Sequence, residues 1–550
     1  MLDWLRHYRR AALPGDIGAG IVVAMMLVPQ GMAYALVAGL PPVAGLYASI
    51  LPPLVYALFG SSMTQSVGPM AIVSLMTGAV IGPLAAGAPG LHSVLAAQLA
   101  LVAGAVLLLC GLLRLGFLAN FFSRPVMSGF TVGSSLVIAW GQVKPLLGGP
   151  LQHPHLPSAV LGCVSLALLL LARSHLARLL KRTGMPATAA DVLSKLAPMV
   201  VVLAATAAVA AGVAGSGHGI RLTGPVPTGL PQLNLATSPS HWRELLQPGL
   251  LIGFVVFLMS MSAAQTLAQK RGEKLVSNRE LVGLGAANVA SMVSGAFPVT
   301  GSLSRSAVNF AAGANTPLAS VISAVLLAMA LVLPTGWLAL LPLPTLAATI
   351  IVAVLGMLEL DTLKTAWRYD RGDALAWLVT CIGVLALGVE AGVIVGVVLS
   401  MGTLIWRASR PHIAVLGRIP GTEHFRNVER YAATRSEAVL ILRIDANLFF
   451  GNVEAVNERI EDELRDHPAT RDLVLTMLAV SSIDTTALFA LSELNASLRA
   501  RGIGLHLAEV KGPVMDRLRD STLLDQLNGK LFLSTAMASD YLNTDNKDHP

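Results

Sequence analysis

Charge is what this chain has least of. Asp, Glu, Lys and Arg make up 13% of its 550 residues, where soluble domains carry about 25%. The shortage is local. Residues 17–113 contain none of the four. Between Glu280 and Glu359 the only one is Arg305. Hydrophobic residues make up 54%, and apolar stretches recur at the ~20 residues needed to cross a hydrocarbon core. A soluble globular chain is excluded, and a polytopic membrane protein is expected.

Cysteine is scarce too. Cys110, Cys163 and Cys381 each lie within an apolar segment. We expect buried thiols there, not disulfides or metal ligands. There is no HExxH, no P-loop, no kinase motif and no pair of intramembrane acids. No enzyme chemistry is therefore visible, ATP-driven pumping is disfavoured, and no cofactor or metal is expected. The net charge of +7 does not point to nucleic acid, because the basic residues cluster beside the spans. Arg6, Arg9 and Arg10 precede an apolar run. Residues 17–40 are too long for a cleavable signal and lead into further spans.

About fourteen membrane segments are expected, centred near Met26, Leu51, Val73, Val102, Leu136, Leu168, Leu203, Val256, Ala287, Ala307, Val325, Ile350, Val379 and Val397. Loop charge tests the count, since cytoplasmic loops collect Lys and Arg. The loop after the sixth segment holds Arg173, Arg178, Lys181 and Arg182. The loop after the eighth holds Lys270, Arg271, Lys274 and Arg279. Lys364, Arg368 and Arg371 follow the twelfth, and Arg407 and Arg410 follow the last. The connections around Pro41, Pro89 and Pro334 hold none. An even count with both ends inside is expected. The chain then falls into a transport domain, residues 1–410, and a cytoplasmic domain, residues 411–550. In the second part residues 438–445, 472–480 and 503–510 read as strands, and 453–465 and 485–501 as helices. That alternation implies a small α/β domain.

Two stretches break the apolar pattern. "TQSVGPMAIVSLM" lies near the third segment and "GAFPVTGSLSRSAVNF" near the tenth. An offset of seven is what two inverted seven-segment halves produce. Interrupted segments at matching places point to a transporter's binding site. Extended backbone at membrane depth is tolerated only beside protein or a cavity. A helix starting at mid-membrane presents free N–H groups and its positive dipole end. Pro69 suits a first helical position, and Ser302 or Ser304 can cap the tenth helix. Two such N-termini make an anion site, to which Arg305 adds positive potential. Two readings fit Arg305: contact with the anion, or neutralisation of helix C-terminal carbonyls. Two also fit Gln30 with Tyr34, one helical turn further on: donation to an anion, or a buried bond between helices.

At these residues the sequence resembles the sulfate permease (SulP) family, which includes the animal anion solute carriers with a STAS domain. "LVPQGMAYALVAGLPPVAGLYAS" is similar to the family signature. "GPMAIVSLM", "NRELVGLGAANVASMVSGAFPVTGSLSRSAVNFAAGANT" and "AATIIVAVLGMLEL" resemble its later blocks, and "VEAGVIVGVVLS" its last segment. "LRIDANLFFGN" and "AVSSIDTTALFALSEL" resemble the STAS domain. The resemblance implies a polytopic α-helical, uracil-permease-like fold of two inverted seven-segment repeats, with core and gate domains. It also implies a cytoplasmic STAS domain, a homodimer and an elevator-like motion. The implied anion site lies between the third and tenth helix N-termini. Gln30 and Tyr34 line it, with Gly68, Met70 and Ala71 from the third segment. Ser302, Ser304 and Arg305 come from the tenth.

One position departs from that pattern. Many proton-coupled relatives carry a glutamate in the eighth segment, where this chain has Met259. Uniport, exchange and coupling through another group stay open. "SIDTT" resembles a loop phosphorylated in bacterial anti-sigma antagonists, with Thr485 at the hydroxyl position. The alternative is that Asp484 or Thr485 caps the following helix. The expected function is secondary transport of a small oxyanion or dicarboxylate, such as sulfate, fumarate, succinate or bicarbonate, across the inner membrane. A nucleobase transporter on the same fold would use acids on segments eight and ten, where this chain has Met259, Ser304 and Arg305.

Overall fold

A computed structural model describes residues 3–86, 88, 90–117, 123–212, 219–231, 241–333 and 335–545. The sequence-derived connections at Pro89 and Pro334, and parts of the loop after the seventh segment, lie outside them. The chain divides into two compact units, Met1–Ser400 and Met401–Pro550.

In the first unit every expected centre falls on a helix. The first segment is Leu13–Val37, and the second is Pro42–Tyr47 with Leu51–Phe59. The fourth, eighth and ninth are Leu91–Leu112, Trp242–Arg271 and Ser277–Val293. The eleventh is Leu318–Val332, and the last is Val389–Ser409. Segments one to four and eight to eleven pack on one another, and five to seven pack with twelve and thirteen; the fourteenth meets the fifth and thirteenth where Gly396 faces Val126 and Gly392 faces Val384.

Small residues set these contacts, because without water between helices close backbone approach supplies the packing energy. A Cβ on Gly45 would land on the Gly31 carbonyl, and one on Gly285 would crowd the Gly104 carbonyl. Any larger residue would push the first segment off the second, or the fourth off the ninth.

The third and tenth segments are short. The third is Ala71–Leu84, of 14 residues, and the tenth is Leu303–Ala311, of 9. At ~1.5 Å per residue they reach only about 21 and 14 Å, against the ~30 Å of a bilayer core. Extended chain makes up the difference in both, and that is where the site is built.

The cysteines correct one expectation. Cys381 is buried and Cys110 is half-buried, but Cys163 is exposed. It lies on the sixth segment, Leu156–Leu171, beside the exposed Val160 and Val164. Such an outward apolar face meets lipid, so membership of an apolar segment does not imply burial in protein.

The second unit carries a six-stranded sheet of order β4-β3-β5-β6-β7-β8. Its strands are β3 (Ile413–Arg418), β4 (Phe425–Asn427), β5 (Val439–Ile444), β6 (Asp472–Thr476), β7 (Gly504–Ala508) and β8 (Leu531–Phe532). β5 to β8 are parallel, and β3 is antiparallel to both β4 and β5. The central strands read as near-continuous apolar runs because both faces are covered. Leu440, Leu442, Leu473, Leu475, Leu505 and Leu507 point into one core with the helices Val453–Asp466 and Thr485–Ala500. The three sequence-derived strands and both helices are present. β3, β4 and β8 had not been anticipated: β4 and β8 are short edge strands, and β3 is only partly buried between β4 and β5.

Candidate functional site

The two extended arms meet. β1 (Val67–Gly68) pairs antiparallel with β2 (Thr300–Gly301), Val67 opposite Gly301 and Gly68 opposite Thr300. Each strand leads into a half-helix, so the two helix N-termini are brought side by side. Further bonds lock the pair. Ser302 N–H donates to the Ser66 carbonyl at 3.1 Å, and Ser66 N–H donates to Ser306 Oγ at 2.9 Å. Asn309 Nδ2 donates to the Thr64 carbonyl at 2.9 Å. A Cβ on Gly301 would overlap the Gln65 amide, so only glycine allows that approach.

Pro69 does not stand at the first helical position. Met70 is the N-cap, with extended φ −142° and ψ 142°, and the helix begins at Ala71. Pro69 is displaced because its carbonyl is needed elsewhere: it accepts from Arg305 Nη1 at 2.9 Å. On the tenth helix Ser302 is the cap, its Oγ accepting from Arg305 N–H at 3.4 Å. Ser304 is exposed and lies 3.3 Å from Ser302 Oγ. The first N–H groups of both helices have no intrahelical partner.

Arg305 is only 1% exposed. Nε donates to Ser66 Oγ at 3.2 Å and Nη1 to the Pro69 carbonyl, so its fork ties the tenth helix to the third-segment arm. Among the described residues Nη2 has no hydrogen-bond partner, and it lies where a Cβ on Gly68 would meet it. The cation therefore bonds neutral oxygens only, and its field is not cancelled by a bonded acid. The second reading of Arg305, neutralisation of helix C-terminal carbonyls, does not describe these contacts. Pro69 precedes a helix N-terminus.

The first segment passes this pair. Leu27 packs on Gly68, and Gln30 and Tyr34 follow at helical spacing on the same face. Tyr34 is buried. Gln30 is half-buried. Met70 and Ala71 are buried at the third helix start. Met259 is half-buried on the eighth helix against the apolar core. The remaining sequence-derived candidate is elsewhere: Thr485 is exposed at the start of its helix in the second unit. Asp484 is the cap there, accepting from Ala487 N–H at 2.8 Å and Phe450 N–H at 2.8 Å.

Sequence reasoning missed the residues that hold the arms. The ninth helix grips both. Asn288 accepts from Val299 N–H at 2.9 Å and donates to the Val299 carbonyl at 3.0 Å. Glu280, fully buried, accepts at Oε1 from Ser61 N–H, Ser61 Oγ and Ser62 N–H at 2.8, 2.6 and 2.9 Å. Asp16 does the same for another loop, accepting from Asn315 N–H, Thr316 N–H and Thr316 Oγ1 at 2.7, 3.0 and 2.7 Å. The signal was the placement of both acids at edges of charge-free stretches.

Comparison with known proteins now decides the family. The Sulfate permease family pattern matches residues 13–380, and the STAS domain pattern matches 430–538. The chain belongs to the sulfate permease family. A probable sulfate transporter of Mycobacterium tuberculosis, Rv1739c, is 37% identical over 95% of this chain and 94% of its own length. Sulfate transporter 4.1, chloroplastic, of Arabidopsis thaliana is also 37% identical, over 92% of this chain and 76% of its length. The solved structure of SLC26A9 superposes with a TM-score of 0.88 at 23% identity, covering 99% of this chain and 93% of that one. The transmembrane domain of a cyanobacterial bicarbonate transporter, BicA, gives 0.60 at 22% identity over 71% and 98%. The fold is thus the seven-plus-seven inverted-repeat fold with core and gate domains and an appended STAS domain. By family this sulfate permease relative is a membrane anion transporter.

Proposed function

We propose that the chain moves a small oxyanion or dicarboxylate by secondary transport, with the anion held between the N-termini of the third and tenth helices. One observation carries the reading: the β1–β2 pair sets two helix N-termini side by side, with Arg305 bonded only to neutral oxygens between them. Each helix N-terminus favours an anion by about 0.3–1 kcal/mol, and more when partly buried. Gln30, Tyr34, Gly68, Met70, Ala71, Ser302 and Ser304 line the site, and Arg305 acts through its field and as a brace. The names of the relatives favour sulfate, with bicarbonate, fumarate and succinate as competitors. The absence of acids at Met259 and Ser304 disfavours a nucleobase.

The remaining features follow the same reading. The basic loops support a cytoplasmic N-terminus and STAS domain, with the protein in the inner membrane. The transport domain ends at Arg410, the protein is a homodimer, and the core moves like an elevator against the gate. Exposed Thr485 is the hydroxyl available for regulatory phosphorylation. Coupling through Met259 is impossible, which leaves exchange, uniport, sodium, or a proton carried elsewhere. The test is uptake into proteoliposomes, comparing sulfate, fumarate, bicarbonate and chloride under imposed pH and sodium gradients. Saturable uptake of a divalent anion is expected; uptake of none of these anions would overturn the proposal.

A further inference from the structure

The sixth segment outruns the membrane. Leu156–Leu171, a π-turn at Ala172–Leu176 and Ala177–Arg182 follow one another without a break, 27 residues in all. At ~1.5 Å per residue the helix is about 40 Å long, against a hydrocarbon core of ~30 Å. Its last turns therefore stand at headgroup level. Along the first part an apolar face looks outward: Leu156, Val160, Val164, Leu168 and Leu171 are exposed. Beyond the π-turn the outward residues change. Arg178, Lys181 and Arg182 are exposed, with exposed Leu179 among them. A face that is apolar and then basic, with leucine interleaved, suits acyl chains first and charged headgroups next.

Charge balance singles out this end among the basic loops. Residues 173–195 hold five bases, Arg173, Arg178, Lys181, Arg182 and Lys195, and one acid, Asp191. Elsewhere the bases are offset. Residues 359–373 hold three bases and four acids. Residues 270–280 hold four bases and two acids, and two of those bases turn to protein. Arg271 bonds Glu273 and the Ala314 and Asn315 carbonyls, and Arg279 reaches the Gly60 carbonyl at 3.4 Å. About four or more Lys and Arg directly beyond a span are the composition that holds anionic headgroups.

We propose that the basic end of the sixth segment, residues 173–195, binds the headgroups of anionic phospholipids, with Arg178 and Arg182 as the main contacts. The other bases have different tasks. Arg173 Nη1 donates to the Val352 carbonyl at 3.1 Å, in the last turn of the twelfth helix, Leu343–Leu355, where a cation is favoured. That bond braces the long helix against its neighbour and fixes the height of the basic end. The Ser165 and Thr345 hydroxyls, 3.0 Å apart, tie the same two helices again. Lys181 is shared with Asp191 at 2.8 Å. Arg178 Nη2 bonds the Ser174 carbonyl at 2.9 Å, which leaves the rest of its fork for a phosphate oxygen. The proposal needs only that the segment spans a membrane. It does not depend on which anion is carried.

The test uses the full chain in phosphatidylcholine vesicles carrying a trace of spin-labelled phosphatidylglycerol or spin-labelled phosphatidylcholine. Electron paramagnetic resonance reads the fraction of each lipid immobilised at the protein. The wild type should hold phosphatidylglycerol in preference, and the preference should shrink as salt rises. Arg178→Gln with Arg182→Gln should lower it several-fold. Lys364→Gln with Arg368→Gln removes as much charge from another loop and should leave most of it. Asp191→Asn, which frees Lys181, should raise it. Equal immobilisation of the two lipids by the wild type would overturn the proposal. So would a preference that survives the loss of Arg178 and Arg182, or an equal loss in the Lys364 and Arg368 variant. If the Arg178 and Arg182 variant does not fold, Asp191→Asn decides, and an unchanged preference there counts against the proposal. Inorganic phosphate should displace the lipid no better than chloride at equal ionic strength; stronger displacement would make this a site for soluble anions and overturn the assignment to lipid.

Discussion

At the scale of residues, Arg305 carries the electrostatic weight of the site. A unit charge ~6 Å from a bound monoanion contributes about 2–3 kcal/mol at an effective dielectric of ~20. Arg305→Ala should therefore lower sulfate affinity by roughly 30-fold or more, measured as the half-saturation concentration of uptake. Arg305→Lys should recover part of the charge but not the brace, because an ammonium cannot make the fork from Ser66 Oγ to the Pro69 carbonyl. Equal uptake by all three proteins would remove Arg305 from the account. The STAS domain offers a residue-scale test of a different kind. Asp445 is held below the usual carboxylate range by its hydrogen bonds to Arg443, at 2.5 and 2.9 Å, and to His412. Its folded value is depressed, so its contribution is present above the unfolded value of ~3.9 and is lost as pH falls through the folded one. Melting of the protein should lose stability over that acid range, and Asp445→Asn should flatten the loss. Asp484→Ala should cost about 1–2 kcal/mol, since it removes a helix cap and the bond to Phe450 N–H.

At the scale of elements, the site depends on two residue pairs of β structure, too short to persist alone. The ninth helix makes them possible. Glu280 and Asn288 stand eight residues apart, about 12 Å along its axis, and each fixes one arm. Gly301→Ala should displace the Gln65 amide and lower uptake several-fold while leaving the helices folded, as far-ultraviolet circular dichroism would show. Asn288→Ala should leave the Val299 N–H and carbonyl buried without partners, at about 1–3 kcal/mol each. A drop in melting temperature is the readout. These elements also show what could be read from the amino-acid order. The two breaks were legible, because Gly, Pro, Ser and a lone Arg interrupt long apolar runs. So were a serine cap, at Ser302 or Ser304, and the face shared by Gln30 and Tyr34. The displacement of Pro69 was not, because it follows from a carbonyl wanted by an arginine 236 positions away. The grips of Glu280 and Asn288 were equally hidden, since a partner across the bundle leaves no local pattern.

At the scale of the whole molecule, apolar length and loop charge were enough to place fourteen segments, and motif order was enough to name the family. Exposure was not predictable in the same way. An apolar helix facing lipid reads like one facing protein, and Cys163 was misplaced for that reason. The two units predict separable behaviour. A chain ending at Arg410 should insert and retain its helical content, with a changed transport rate; loss of the helical fold on truncation would contradict the boundary. The central claim is that the anion lies between the two half-helix N-termini, and Ser304 is its most accessible witness. With Cys110, Cys163 and Cys381 replaced, Ser304→Cys should react with a water-soluble thiol reagent, and sulfate should slow that reaction at the concentrations that saturate uptake. Labelling that sulfate does not slow, in protein that still transports it, would place the anion elsewhere.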